Sequence, residues 1–195
     1  MARKIYGEEW LNIVNAALSM ISADQLAKLD EGTLAANYAN TLLQTAIKAV
    51  YSTVDFYDIA ITEELPRLEA THPIYAYCYK LPELAAKTLK VTTIPCRMPW
   101  ELSAGMLCTD ACRAIIKYVA LPSTPEDIPP YAEMLIELKL AALLAVPVAH
   151  DETRAAALES QYSSELSNVL AFSSAGMYQE DRADSFWTDP DGGCR

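Results

Sequence analysis

The stretch that most constrains the fold runs from Ile128 to Phe172, where two apolar segments are separated by a short break. The first segment starts at Pro129-Pro130, because proline is tolerated in the first turn of a helix. Pro147 is expected to end this helix, and Asp151 is a suitable N-cap for the next one. A connection this short makes the two helices antiparallel neighbours. The sequence therefore predicts a helical hairpin on which the rest of the chain packs.

The two helices of the hairpin differ in how much of their surface is apolar. The first is apolar on most sides, which predicts a core helix, whereas the second has one face that is expected to be exposed to solvent. Charged residues interrupt the first apolar run, which is also too short to cross a bilayer, so no membrane association is expected. The predicted core residues of the hairpin are Tyr131, Leu135, Leu138, Ala142, Leu158, Tyr162 and Leu166.

Two more helices are predicted before the hairpin. Residues 8–21 place apolar side chains on one face, and residues 33–53 begin at Thr33, which can act as an N-cap. The connection between these helices holds a short apolar anchor, Leu26 and Leu29. On the second helix, one line of side chains consists of Leu34, Tyr38, Leu42, Thr45 and Ala49.

Between the two helical pairs, the apolar period changes from helical to alternating. Tyr75, Tyr77 and Tyr79 alternate with other residues, which is typical of a strand with one aromatic face. Further strands are predicted at 88–94 and 113–121, with shorter ones around Trp100–Leu102 and Met106–Thr109 joined by a turn at Ser103-Ala104-Gly105. We therefore expect one small antiparallel sheet in this region.

These patterns predict an α+β, mainly α fold: a helical bundle of two N-terminal helices and the C-terminal helical hairpin, with a small antiparallel β-sheet inserted and an extended C-terminal tail. The expected parts are a helical pair at 1–60, the β region at 61–122, the hairpin at 123–172 and the tail at 173–195. The tail loses its apolar period yet keeps Met177, Tyr178, Phe186 and Trp187. Aromatic residues spaced along an acidic tail indicate docking onto a partner.

The net charge of −11 limits what the chain can bind. Residues 122–195 hold 4 basic and 13 acidic residues, so most of the excess acid lies in the hairpin and tail. Proteins grip nucleic acid mainly through Lys and Arg on the phosphates. The chain is therefore not expected to hold DNA specifically or tightly.

The sequence offers few residues for catalysis. His72 and His150 stand near predicted element ends without an evident partner, and neither a G-x-S-x-G turn nor a phosphate-cradling glycine loop occurs. The five cysteines are odd in number and lack the paired C-x-x-C typical of zinc sites, which favours free thiols. We expect no enzyme activity, no cofactor and no metal. A thiol-dependent enzyme using Cys78, Cys108 or Cys112 stays open as an alternative.

The order of these parts resembles that of the head–tail adaptor proteins of short-tailed bacteriophages, a family that includes tail tubular protein A and the tail accessory factor. Residues 128–151, IPPYAEMLIELKLAALLAVPVAHD, are similar to a segment of the family that starts with Pro-Pro, continues as an apolar helix with interspersed acidic residues and ends at a proline. The other similar segments are LNIVNAALSMISADQLAKLDE at 11–31, YAYCYKLP at 75–82, AIIKYVA at 114–120 and QYSSELSNVLAFSSAGM at 161–177. The chain departs from the family pattern at Ser22, Phe56, Tyr57, Glu83 and Lys87.

The resemblance implies a structural protein of the virion neck, assembled in the host cytoplasm. It implies a ring of twelve copies that binds the portal protein above and the tail nozzle protein below, while double-stranded DNA passes through without specific binding. It also implies a portal-binding C-terminal extension, and we hypothesise that Met177, Tyr178, Phe186 and Trp187 make that contact. The alternative from another class is a small cytoplasmic helical binding or regulatory protein of phage or bacterial origin.

Overall fold

A computed structural model describes residues 7–69, 72–94 and 98–186, with side chains described as far as Ala171. The chain divides into two compact units. One consists of Met1–Val54 and Pro122–Phe172, and the other of Asp55–Leu121 together with Ser173–Arg195. The first is called the helical unit below. The strands all lie within Asp55–Leu121, which is called the β unit.

The helical unit begins with a short 3-10 turn that leads directly into the first helix. Its helices are α1 (Leu11–Met20), α2 (Leu34–Thr53), α3 (Pro130–Ala149) and the start of α4 (Glu152–Phe186). Two polar side chains cap these helices where the sequence predicts them. Thr33 Oγ1 accepts a hydrogen bond of 3.2 Å from the N–H of Ala36, and Asp151 Oδ1 accepts one of 2.8 Å from the N–H of Arg154. These contacts satisfy donors that a helix start leaves unpaired.

α3 is the central helix of this unit and packs against both α1 and α2. Its buried side chains surround the axis, as expected for a helix that is apolar on most sides: Ala132, Leu135, Ile136, Leu138, Leu140, Ala141, Leu144 and Ala145. α4 lies against it, because Lys139 Nζ is 2.6 Å from Glu159 Oε1 and 4.9 Å from the centre of the Tyr162 ring.

Two asparagines hold the connection between α1 and α2. Asn15 donates from Nδ2 to the Leu26 carbonyl at 3.0 Å and accepts the Leu26 N–H through Oδ1 at 2.8 Å. Asn40 Nδ2 donates to the Leu29 carbonyl at 2.6 Å. Leu26 and Leu29 are both buried, so the apolar anchor and its backbone are fixed together.

The buried face of α2 is not the line of side chains that the sequence suggests. Leu34 is 61% exposed and Tyr38 is 38% exposed. The buried side chains are instead three alanines and four larger apolar residues: Ala36, Ala39, Leu43, Ala46, Ile47, Val50 and Tyr51. Alanines let the helix axes of α2 and α3 approach closely, so the small residues of α2 face inward and two large ones face outward.

The β unit contains two antiparallel sheets. Its strands are β1 (Ile61–Glu64), β2 (Arg67–Leu68), β3 (Tyr77–Lys80), β4 (Ala85–Ile94), β5 (Trp100–Ser103), β6 (Met106–Thr109) and β7 (Arg113–Ala120). One sheet has the order β1-β7-β4 and the other the order β2-β3-β6-β5. Residues of both sheets form a shared core: Leu65, Tyr79, Leu107, Ala114, Ile116 and Tyr118.

The predicted fold class is wrong. Over the described residues the chain has four α-helices and seven strands in two sheets, which is a mixed α/β fold and not a helical bundle with one small sheet. The missed strands are β1 and β2. Apolar alternation does not reveal them, because all four residues of β1 are exposed and β2 is two residues long.

Two helix ends also differ from expectation. α3 continues past Pro147 to Ala149, where His150 adopts a left-handed conformation with φ of 54°. α4 runs on to Phe186, so the tail is not extended between Ser173 and Phe186. The apolar period does break at Ser173, but polarity alone does not stop a helix, and alanine, glutamate, glutamine and arginine continue to favour it.

Candidate assembly surface

β5 and β6 form a tight hairpin at one end of the four-stranded sheet. Ala104 and Gly105 connect the strands with φ values of +49° and +75°. Two positive φ values in a two-residue loop are typical of a type I′ turn, whose twist matches that of the flanking strands. The turn fixes the register, so Trp100 pairs with Thr109 and Leu102 pairs with Leu107.

β5 carries two large apolar side chains that are only half covered. Residues paired across antiparallel strands share a face, so Leu102 and Trp100 lie on the same side of the sheet as the core residue Leu107. Trp100 is nevertheless 44% exposed and Leu102 is 46% exposed. The apolar face of this sheet therefore extends onto β5, where it is partly exposed to solvent.

β5 also has an unpaired backbone edge, since it is bonded only to β6 among the strands that the structure describes. Such an edge offers N–H and C=O groups to an added strand. We call Trp100–Ser103, with its open edge and its two half-exposed apolar side chains, the β5 surface.

The other three sheet edges are each less suited to accept a strand. Glu63 of β1 pairs with the core residue Ile116, which places a charge on the inward face of that edge. The pKa of Tyr118 is raised first by burial and then by its interaction with Glu63. β4 is interrupted by two register shifts, and β2 has only two residues. Inward charges, bulges and short strands are the devices by which proteins protect sheet edges.

The two units differ in charge. The helical unit has six basic and thirteen acidic residues, a net charge of −7, whereas the β unit, residues 55–121, has seven basic and eight acidic residues, a net charge of −1. Residues 173–195, which are grouped with the β unit, add two basic and five acidic residues. Several charges of the β unit are paired within it. Arg113 makes two hydrogen bonds, of 2.8 and 2.6 Å, to Glu64, which lowers the pKa of that carboxyl group. Lys87 lies 2.6 Å from Asp55. The β5 surface thus lies on the nearly neutral unit.

The predicted hairpin core residues have unequal burial. Leu135, Leu138, Leu158 and Tyr162 are buried, whereas Tyr131, Ala142 and Leu166 are half-buried. Burial raises the pKa of Tyr162, with nearby Glu159 as the second cause. All seven lie on α3 or α4, so this set belongs to the packing of the helical unit.

The proposed portal-binding residues lie near the C-terminal end of α4. Met177, Tyr178 and Phe186 lie within α4, whereas Trp187 is outside the described residues. A helix of 35 residues is about 52 Å long at the usual rise per residue. In sequence, these three residues come after the part of α4 that belongs to the helical unit.

Cys78 and Cys108 form a buried thiol pair in the β unit. Cys78 and Cys108 are buried, and their sulfur atoms lie 2.7 Å apart. Burial raises the pKa of Cys108 to about 11, with the hydrogen bond to Cys78 as the second cause. A reactive cysteine needs a lowered pKa, so this environment does not activate the Cys108 thiol. Cys112 is exposed, and its Sγ donates to the Ile94 carbonyl at 3.4 Å.

No metal site is built from the ligands that the structure describes, because no group of three or more His, Cys, Asp or Glu comes together there. His72 Nδ1 accepts backbone N–H groups of Ile74 and Tyr75 at 3.3 Å. Cys96 lies outside the described residues. Nor is any described helix both long and apolar enough to cross a bilayer.

The helical unit has an open groove of about 440 Å³, lined in part by Ile21, Ser22, Asp151 and Arg154. Its only cationic side chain is already engaged, since Arg154 Nε and Nη2 donate to the Met20 carbonyl at 2.8 and 2.6 Å. The guanidinium group therefore caps the C-terminal end of α1, where a positive charge is favourable.

The sequence indicates the β5 strand but not its role at the surface. The alternation of Trp100 and Leu102 beside a glycine turn predicts a strand, and only the strand order shows that it ends a sheet.

Comparisons with protein-family models and with curated proteins found no match to this chain.

Proposed function

We propose that this chain is a structural head-to-tail adaptor of a phage virion. In this proposal, copies of the chain form a ring below the portal, connect it to the tail nozzle and leave a passage for the genome. The family resemblance of the sequence supplies the proposed role. The β5 surface is the structural observation that supports it best, because an open edge with half-exposed apolar side chains suits assembly.

A second copy of the chain is the occupant that the charges favour at the β5 surface. Every copy carries −11, so copies repel one another wherever their acidic parts meet. The β unit, at −1, is the part that can approach another copy with least repulsion. A contact that uses different surfaces on the two copies forms a ring when its rotation closes.

The C-terminal part of α4 is the proposed portal contact. Met177, Tyr178, Phe186 and Trp187 are separated from the hairpin core in sequence, and three of them lie on one helix. Aromatic and methionine side chains are frequent at the energetic centres of protein interfaces. A preformed helix would lose less conformational entropy on binding than an extended tail.

The acidic composition also suits a conduit for DNA. A wall with few exposed basic residues gives little counterion release and hence little affinity for phosphates. The genome could then slide through the ring without being held.

Negative-stain electron microscopy of the purified chain mixed with its cognate portal tests this proposal. We expect portal particles with an added ring of density on one end. Portal particles unchanged at micromolar concentrations of the chain would contradict the proposal.

A matched pair of variants tests the assignment to α4. Changing Met177, Tyr178 and Phe186 to alanine should abolish portal binding in a pull-down and leave the helical content unchanged. Changing the polar neighbours Gln179 and Glu180 to alanine should leave binding intact. Equal binding by both variants would refute this contact.

A further inference from the structure

Cys78 and Cys108 face each other across two hydrogen-bonded strands. They are directly paired in the register of β3 and β6, and their sulfur atoms are in contact at 2.7 Å. Directly opposed residues of antiparallel strands have Cα atoms about 4.5–5.5 Å apart. A disulfide needs about 4.4–6.8 Å, so the backbone already has the required spacing.

The geometry points to a disulfide modification site in the β unit: Cys78 and Cys108 form a cross-strand disulfide when the folded protein meets an oxidising low-molecular-weight disulfide. In a reducing cell the pair stays as two thiols, as it is in this structure. The linkage depends only on these two side chains and not on ring assembly.

The exchange proceeds in two steps. The thiolate of one cysteine attacks a sulfur atom of the small disulfide, forms a mixed disulfide and releases one small thiol. The second cysteine then attacks the protein sulfur of that mixed disulfide and releases the second small thiol. The two protons lost by the protein end on the two released thiols, so the protein is oxidised by two electrons and the reagent is reduced by two.

Burial decides the rate of the exchange but not its product. Both side chains are at most 1% exposed, so attack requires transient opening of the sheet. The pair is one strand away from the sheet edge, because Cys108 pairs with Glu101 of β5. Once the mixed disulfide forms, the second sulfur is already adjacent, and such preorganisation strongly favours ring closure over hydrolysis or release.

The linkage would join β3 to β6 within the four-stranded sheet and close a loop that runs through the other sheet. The cysteines are 30 residues apart, and the closed loop contains all of β4 and β5. β4 belongs to the three-stranded sheet, whereas β3, β5 and β6 belong to the other sheet. A loop of this size restricts the unfolded chain, which should raise the Tm of the full chain by roughly 7–14 °C.

Cystamine treatment of the folded full chain tests the site. Remaining thiols are alkylated after denaturation, and peptide mass spectrometry identifies the linked cysteines. We expect a Cys78–Cys108 linked peptide in which neither cysteine carries a cysteamine adduct, and a higher Tm. The triple variant with Cys96, Cys112 and Cys194 changed to serine should behave in the same way.

Cys78→Ser is the matched negative variant, and it should show neither the linked peptide nor the rise in Tm. The same treatment in 8 M urea separates folded-state pairing from random oxidation, because unfolding removes the register of β3 and β6. The site is overturned if folded protein gives no Cys78–Cys108 peptide, or if this peptide makes up no larger a share of the cysteine-linked peptides than it does after treatment in urea.

Discussion

Replacing Trp100 by alanine should weaken the association of copies of this chain. The side chain of Trp100 is 44% exposed in the single chain. With a tryptophan area of about 250 Å², that fraction is about 110 Å² of surface available for burial in a contact. At about 25 cal/mol per Å², its loss would cost about 2.8 kcal/mol, or roughly a hundredfold in the dissociation constant of each contact.

Sedimentation velocity over a concentration series measures this effect. The wild-type chain should shift to larger species as the concentration rises, and the Trp100→Ala chain should need roughly a hundredfold more protein for the same shift. Circular dichroism must show that the variant is folded, since the other part of the indole ring is buried. A folded variant with unchanged association would refute the role of the β5 surface.

The same leucine-to-lysine substitution at two positions, one on β5 and one outside it, provides a matched test of the β5 surface. Leu102 on β5 is 46% exposed, and Leu84, in the same unit but outside β5, is 56% exposed. Leu102→Lys should prevent association, because a lysine on an edge strand opposes the addition of another strand. Leu84→Lys changes the net charge equally and should leave association unchanged.

Three further predictions concern stability. Ala104→Asn should raise the free energy of unfolding by about 0.5–1 kcal/mol in urea titration, because asparagine tolerates a positive φ better than alanine. Asn15→Ala should lower it by about 1–3 kcal/mol, because the buried backbone of the Leu26 anchor loses its partners. Glu137→Gln should raise the Tm at pH 7 and not at pH 4, because burial and then Glu133 raise the pKa of Glu137. The gain from removing the like-charge pair alone should be about 0.2–0.5 kcal/mol.

The sign of the Glu137 effect follows from proton binding. A carboxyl group with a raised folded-state pKa binds more protons when folded, so stability falls as the pH rises from its ordinary pKa of 4.5 through the folded value. Below that window the carboxyl group is neutral in both states, and glutamine brings no electrostatic gain. A larger stabilisation at pH 4 than at pH 7 would contradict this account. For Ala104→Asn and Asn15→Ala, a change of opposite sign in the free energy of unfolding would contradict the predictions.

The sequence predicted local features that depend on one or two side chains. Thr33 and Asp151 act as N-caps because their short polar side chains reach the next turn wherever the helix packs. The turn at Ala104 and Gly105 was likewise predictable from its small residues and flanking alternation.

Features that depend on distant partners were not predictable in this way. The inward face of α2 includes three alanines, and only the packing of α3 against α2 shows that this face, and not the Leu34–Tyr38 line, is buried. β1 has no apolar alternation, because all four of its residues are exposed at a sheet edge. The exposure of Trp100 depends on β5 being the last strand of its sheet, which is a property of the whole β unit.

A cryo-electron microscopy reconstruction of the chain bound to its portal tests the central claim most directly. We predict a closed ring in which β5 of each copy, with Trp100 and Leu102, is buried against the next copy. A single bound copy, or a ring whose β5 strands face solvent, would contradict the claim.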